Sequence, residues 1–381
     1  MIKAVKGAKT KSGLQKYRVR INYTAVTGEY KQLTRVAIGF EQAKLLESTL
    51  TNEYRNRTKS GTGSAKLTLD GLYADFVKAK GLEVRESTLQ TYSFKYAEMI
   101  RPMLGNTRID RLSKSLLQDW KNGLGEKGYA LSTRQGAYRL FNGLLEYATR
   151  LDYLPSNPLR ALGNFKETLT VKPDKPVYTL ADFERFIAAA RQAAQEYEER
   201  HGDYSEWAFY VFFFLAFHTG MRRGEILALR WSDLDGGEIS VRRSVNQSLP
   251  GGERETAPKS LSSVRNVLIS DDLNRVLGEH RQRQEQVDGF SEGWRICGGA
   301  RTLCKTLLGR RSKKYAMAAG VHVINIHAQR HSYTTRLIAN GGDIQAISEQ
   351  LGHSNATITM AVYAHLLPHK RAELLNVLNR K

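Results

Sequence analysis

Four residue types suited to phosphodiester chemistry recur in a fixed order along the second half of the chain. Arg222 sits in Thr219-Gly220-Met221-Arg222-Arg223-Gly224-Glu225, and Lys259 in Thr256-Ala257-Pro258-Lys259-Ser260. His327 and Arg330 share His327-Ala328-Gln329-Arg330-His331, and His353 closes Leu351-Gly352-His353. Tyr363 follows ten residues later, in Thr359-Met360-Ala361-Val362-Tyr363-Ala364-His365. Breaking a phosphodiester without a metal or water needs a nucleophile, cations on the non-bridging oxygens, a proton acceptor and a proton donor. A tyrosine can attack through its phenolic oxygen. Two arginines can clamp the phosphate, because planar guanidiniums offer paired donors. Fixed cations then stabilise the charge that builds in the transition state, and a histidine can take up or orient a proton.

Such a site needs elements to hold it, and the pattern around it predicts mostly helices. Thr179-Leu180-Ala181-Asp182 reads as a capping box that opens a helix and the last domain. The apolar run Trp207 to Phe217, eleven residues, falls short of the roughly 20 a bilayer span requires and reads as a buried core helix. Gly236-Gly237 to Val245 and Val264 to Ile269 read as strands flanking the loop Pro250-Gly251-Gly252. Upstream, Leu69, Leu72, Tyr73, Phe76 and Val77 recur at helical spacing. Ser87 to Met99, Ser113 to Trp120 and Ser132 to Tyr147 continue a helical bundle. Arg134, Tyr138 and Arg139 in the last of these are candidates to face phosphates. Leu154-Pro155-Ser156-Asn157-Pro158 ends the bundle, since two close prolines break a helix.

The first 60 residues differ. They carry 13 Lys/Arg against 4 Asp/Glu, nearly half of the chain's net charge of +20. Tyr17, Val19, Ile21 and Tyr23 alternate with Arg18, Arg20 and Asn22, which is strand periodicity. A second strand runs from Tyr30 to Ile38 after the Thr27-Gly28 turn, and Glu41 to Tyr54 reads as a helix. The expectation is a small sheet with one helix, its Arg18 and Arg20 face set to contact a nucleic-acid backbone. Lys59-Ser60-Gly61-Thr62-Gly63-Ser64 is a flexible linker by composition, and Lys166 to Val177, with Pro173 and Pro176, is a second one. Three domains follow: 1–60, 66–165 and 174–381, a multidomain α+β chain. With a pI near 9.8 the expected partner is a polyanion. Two cysteines, Cys297 and Cys304, are too few for a disulfide scaffold or a four-ligand zinc site. Met1 to Lys6 lacks the apolar core of a secretory leader, so a cytoplasmic, nucleoid-associated protein with no membrane contact is expected.

The order and spacing of the boxes around Arg222, His327 to Arg330, His353 and Tyr363 resemble the tyrosine recombinase (phage integrase) family over roughly the last 200 residues. The resemblance implies that Tyr363 is the nucleophile and that Arg222 and Arg330 clamp the phosphate. It also implies that Glu225 supports Arg222, that His327 assists as base or orients the phosphate, and that His353 donates a hydrogen bond to it. Lys259, just ahead of Leu261-Ser262-Ser263-Val264-Arg265, matches the family's general acid, with Pro258 a departure. Tyr333 is a rival nucleophile by position, but its helical setting reads as packing. Arg223 reads as structural or as a backbone contact, His331 as structural, and His365 and His369 as having no catalytic role.

The family's chemistry implies a 3′-phosphotyrosyl intermediate, a free 5′ hydroxyl, and strand exchange by four protomers through a Holliday junction, with no metal, ATP or cofactor. The helical segment resembles the family's core-binding domain. The basic N-terminal sheet resembles, by layout and charge, the arm-binding domain of integrases of the phage lambda and conjugative-transposon type. Expected partners are duplex attachment sites, a homotetramer on DNA, and accessory bending or directionality proteins. The 18 residues after Tyr363 form an amphipathic tail that would dock on a neighbouring protomer or pack in cis. A chromosome-dimer resolvase, a type IB topoisomerase and a DNA-binding regulator on a degenerate fold are the alternatives.

Overall fold

A computed structural model describes residues 2–9, 14–24, 30–51, 67–166, 176–249, 251–257, 261–353, 355, 357, 359 and 360. Lys259, Tyr363 with the tail beyond it, and most of both expected linkers lie outside the described residues. The chain divides into two compact units, Met1–Thr170 and Val171–Lys381.

The first unit opens with a three-stranded antiparallel sheet in the order β1 (Ile2–Lys9), β2 (Gln15–Thr24), β3 (Tyr30–Ile38), followed by helix α1, residues 40–51. The alternation read along β2 is obeyed. Val19, Ile21 and Ala37 are buried, and Val19 and Ala37 pack with Ala43 of α1. Arg18, Arg20, Asn22, Thr34 and Val36 are exposed on the opposite face. Strand β1 was not expected, because its lysines recur every third residue and hide the period of two. Its pairing comes from β2, where Val19 lies opposite Ile2 and the Gln15 side chain donates to Val5 O at 2.7 Å.

Helices α2 (Leu69–Lys80), α3 (Glu86–Lys95), α4 (Arg101–Leu104), α5 (Lys114–Glu126) and α6 (Leu131–Arg150) form the bundle. Thr68 and Ser113 cap α2 and α5 by accepting from Gly71 N and Leu116 N, which satisfies donors that a helix start leaves open. Leu69, Leu72, Phe76, Trp120, Phe141 and Leu144 make the core. Trp120 meets Phe141 edge-on at 5.0 Å and donates to Met99 O, so the indole is buried without losing its hydrogen bond.

The second unit starts with α7 (Leu180–His201) on the Thr179–Asp182 capping box. Helix α8 (Trp207–Thr219) is buried on nearly every side, as an all-round apolar helix must be. Among the described residues no helix is long and apolar enough to cross a membrane. After α9 (Arg223–Ala228) come β4 (Leu234–Asp235), β5 (Glu238–Val241), β6 (Ser244–Leu249), β7 (Gly252–Thr256) and β8 (Arg265–Leu268). The single strand expected from Gly236 to Val245 is broken. Strand β5 pairs with β4 and β8, whereas β6 pairs with β7 in a separate hairpin. The break falls at Arg242 and Arg243, where Arg243 turns its guanidinium to Asp233 and Glu255 and the chain leaves one ladder for the other. The charged sequence of β7, GERET, has no apolar alternation to mark it as a strand. Helices α10 (Asp271–Glu285), α11 (Lys305–Ala318), α12 (Ile326–Ala339) and α13 (Ile344–Leu351) complete the unit among the described residues.

Gly220, at the end of α8, has φ 62°. A Cβ there would lie 2.5 Å from Tyr333 Cδ1 and 2.8 Å from Leu351 Cδ2. Gly220→Ala therefore combines left-handed strain with overpacking and is expected to cost roughly 2–4 kcal/mol. Thermal unfolding of the purified variant checks this, and an unchanged midpoint would mean that the turn relaxes freely.

Candidate active site

The site is built on the C-terminal end of α13. The last carbonyls of any helix lack intrahelical donors and carry partial negative charge. Here three guanidiniums supply the donors. Arg265 Nε donates to Gln350 O at 2.7 Å, Arg330 Nη2 to Leu351 O at 2.8 Å, and Arg222 Nη2 to Gly352 O at 3.1 Å. Gly352 takes the left-handed φ of 66° that ends the helix, and His353 comes next.

Each arginine reaches this point from a different element. Arg222 is the residue before α9, and the first turn of that helix lies hard against β6. A Cβ on Gly224 would sit 2.5 Å from Ser244 Oγ and 2.7 Å from Val245 O. Arg330 lies on α12 and donates a second hydrogen bond to Gly220 O at 2.7 Å. It is only 4% exposed. Burial, and then the neighbouring Arg222, push its pKa down to about 9, which still leaves it charged at neutral pH. Arg265 begins β8.

Glu225 binds two of the three. Its carboxylate accepts from Arg222 Nη1 at 2.8 Å, from the Arg222 backbone N–H at 2.9 Å and from Arg265 Nη2 at 3.0 Å. Burial favours its neutral form, but the bonds and charge of Arg265, followed by those of Arg222, outweigh this and hold the pKa below the ordinary carboxylate range. Three guanidiniums against one carboxylate leave two positive charges in excess. Such a site is organised for an anion.

His353 is half-buried beside this cluster, its Nδ1 2.9 Å from Thr359 Oγ1. Burial first, then Arg330, Arg222 and Arg265, push its pKa down to about 4. His327 is exposed in the first turn of α12, 5.0 Å ring to ring from His331. It lines an open cleft with Arg222, Arg223 and Lys305.

The structure thus gathers Arg222, Glu225, Arg330 and His353, with His327 at the rim, while Lys259 and Tyr363 lie outside the described residues. Tyr333 is buried beneath Gly220, and burial raises its pKa, so packing is its role. Sequence reasoning missed Arg265 as a member of the site. Its signal, an arginine two residues after Ser263 in the stretch that follows Lys259, was legible only as part of a strand. Arg18 and Arg20 are exposed on the open sheet face, and Arg139 is exposed on α6. Arg134 lies 5.4 Å over the Phe165 ring with its Nε buried. Tyr138 corrects an expectation: it is buried and donates to Leu159 O, because its helical position faces the bundle core.

The Phage integrase family model matches residues 181–370, the stretch that contains every residue of this cluster. The chain belongs to that family of tyrosine recombinases. It is 27% identical to a tyrosine recombinase XerC-like protein of Caldanaerobacter subterraneus subsp. tengcongensis, over 97% of both chains. It is 25% identical to the ICEBs1 integrase of Bacillus subtilis, over 97% of this chain and 98% of the relative. A solved structure of the Tn1549 transposon integrase in complex with transposon right end DNA shares the fold. Its TM-score is 0.64 at 23% identity, covering 82% of this chain and 100% of that one. Enzymes of this family are site-specific recombinases that cleave and rejoin DNA through a tyrosine, without ATP or metal, and so is this one.

The depressed pKa of His353 makes it neutral at working pH. A nuclear magnetic resonance titration of the DNA-free protein is expected to show no ionisation of His353 from pH 8 down to about 5, with a midpoint near 4. His218 and His280 are likewise pushed down to about 4 by burial. Their folded pKa values lie below the unfolded 6.5, so the unfolded chain binds more protons in that window. Their contribution to stability is complete above the unfolded value and is lost as pH falls toward 4. A thermal midpoint rising on acidification from pH 6.5 would contradict this.

Proposed function

We propose that this chain integrates and excises a mobile element, and that Tyr363 is its nucleophile. Supporting this most directly is the convergence of Arg222 and Arg330 on consecutive carbonyls just ahead of His353, ten residues before Tyr363. In this reading Tyr363 Oη attacks the scissile phosphorus and the bond to the 5′ oxygen breaks. Lys259 gives the departing oxygen its proton, leaving a 3′-phosphotyrosyl bond and a 5′ hydroxyl. The phenolic proton passes to a base, for which His327 is the candidate. Arg222 and Arg330 hold the non-bridging oxygens, and neutral His353 donates a hydrogen bond to one of them. The 5′ hydroxyl of the partner strand then attacks the phosphotyrosine, and the phosphodiester count is conserved.

Two rounds of this exchange within a homotetramer carry the DNA through a Holliday junction, with accessory bending or directionality proteins setting the outcome. Three DNA-contacting parts are proposed: residues 1–60 for distant arm sites, 66–165 and 174–381 for the core site. Arg134 and Arg139 belong to the second part. The sheet face of Arg18 and Arg20, with Lys3 and Asn22 beside them, supports the first. Such an added N-terminal module also argues against a chromosome-dimer resolvase.

The decisive experiment uses nicked suicide duplexes carrying the sequence that flanks the gene. Wild type should leave a covalent protein–DNA band on a denaturing gel, and Tyr363→Phe should lose the band while retaining binding. No band from wild type despite tight binding at the mapped site would favour a regulator on a degenerate fold.

Arg18→Gln with Arg20→Gln should weaken binding to a distant site and flatten its salt dependence. The slope of log affinity against log salt should fall by about one for each phosphate no longer neutralised. Cleavage of the isolated core duplex should be unaffected. Impaired core cleavage at wild-type arm-site affinity would reverse that assignment.

A further inference from the structure

We infer that Arg265 is a positioning residue for strand cleavage, acting through Glu225 to leave the charge of Arg222 available to the scissile phosphate. This rests on the proposed function above. Arg265 cannot itself grasp the substrate. Its side chain is 7% exposed, and its nitrogens are taken up by the protein: Nε by Gln350 O, Nη1 by Ser263 O at 3.1 Å and Glu225 Oε1 at 3.4 Å, and Nη2 by Glu225 Oε2.

The charge balance explains why such a buried cation is needed. Glu225 is 4% exposed and fixes Arg222 through both its guanidinium and its backbone N–H. With Arg222 as its sole cation, that carboxylate would cancel the charge the phosphate needs. A second guanidinium on the same carboxylate lets Glu225 hold Arg222 in place without neutralising it. The fork also matters. Arg265 spans a carboxylate and two backbone carbonyls on separate segments, which a lysine ammonium cannot do from one nitrogen. One of those carbonyls, Ser263 O, lies in the segment that follows Lys259, so the same side chain ties that segment to the end of α13. The fit is close, since a Cβ on Gly352 would lie 2.9 Å from Arg265 Nη1.

The test is single-turnover cleavage of the nicked core duplex, with DNA affinity and thermal midpoint measured in parallel, for wild type, Arg265→Met, Glu225→Gln and the double variant. Arg265→Met should slow cleavage about 100-fold with affinity nearly unchanged, because its Glu225 now cancels Arg222. Adding Glu225→Gln removes that cancelling charge, so the double variant should cleave roughly tenfold faster than Arg265→Met. A merely structural Arg265 predicts additive losses, and a double variant as slow as or slower than Arg265→Met overturns the inference. Should Arg265→Met not fold, Arg265→Lys keeps the charge without the fork. It is then expected to fold and to cleave about tenfold slower at unchanged affinity, and wild-type cleavage by that variant overturns the inference equally. A wild-type protein that forms no tyrosyl adduct would instead remove the functional reading itself, so the two failures are distinguishable.

Discussion

The arginine cluster of the second unit turns on one helix end that cannot satisfy itself. Three successive carbonyls, those of Gln350, Leu351 and Gly352, each take a donor from a different arginine. A helix terminus normally leaves these groups to water or to a glycine turn. Filling them with guanidiniums fixes three cations against a common point, drawn from the residue before α9, from β8 and from α12. The helix dipole lowers the cost of gathering like charges there, and Glu225 lowers it further. The excess that remains is a positive field set up during folding, of the kind that suits an anion.

That field has consequences for its neighbours. His353 emerges directly from the capped helix end and is held neutral by burial and by the surrounding arginines. A neutral imidazole can donate one hydrogen bond and accept another, and its Nδ1 already faces Thr359, which bears on which nitrogen is left for a ligand. Arg330 shows the opposite balance. Burial depresses its pKa, yet guanidinium is basic enough to stay charged where a lysine in the same place would risk neutrality. Arginine is therefore the residue type the site requires at that depth.

Much of this was legible from sequence because the chemistry and the local signals coincide. The Thr179–Asp182 box, the apolar stretch of α8 and the alternation of β2 each follow a short-range rule, and each appears where that rule places it. The boxes around Arg222, Arg330 and His353 carry residue types with few other uses in that order. What escaped depends on long-range pairing. Strand β1 and strand β7 lack apolar alternation and exist because a partner strand recruits them. The break at Arg242 and Arg243 coincides with ion pairs from Arg243 to Asp233 and Glu255, which are near in space and invisible in the local pattern. Arg265 was hidden for the same reason: its bonds reach Glu225 and Gln350, 40 and 85 residues away. Tyr138 shows the converse, a polar residue on a basic helix face whose ring the core claims.

The precision of the arginine clamp comes from α8 as much as from α13. Helix α8 is packed on nearly all sides by aromatic and aliphatic side chains, with Phe183 stacked on Phe217 at 3.7 Å and Phe186 edge-on to Phe213 at 5.2 Å. Interiors packed this way transmit displacement and do not absorb it. The helix ends at Gly220, whose carbonyl receives Arg330, and Arg222 follows two residues later. One rigid helix end thus sets the spacing between the two guanidiniums, while the other, at α13, sets their direction. The left-handed turns at Gly220 and Gly352 each present a carbonyl to a guanidinium, and a side chain at either would collide with Tyr333 or Arg265. Holding charged groups at fixed spacing is a demand on apolar packing first, and Arg222 and Arg330 inherit their geometry from it.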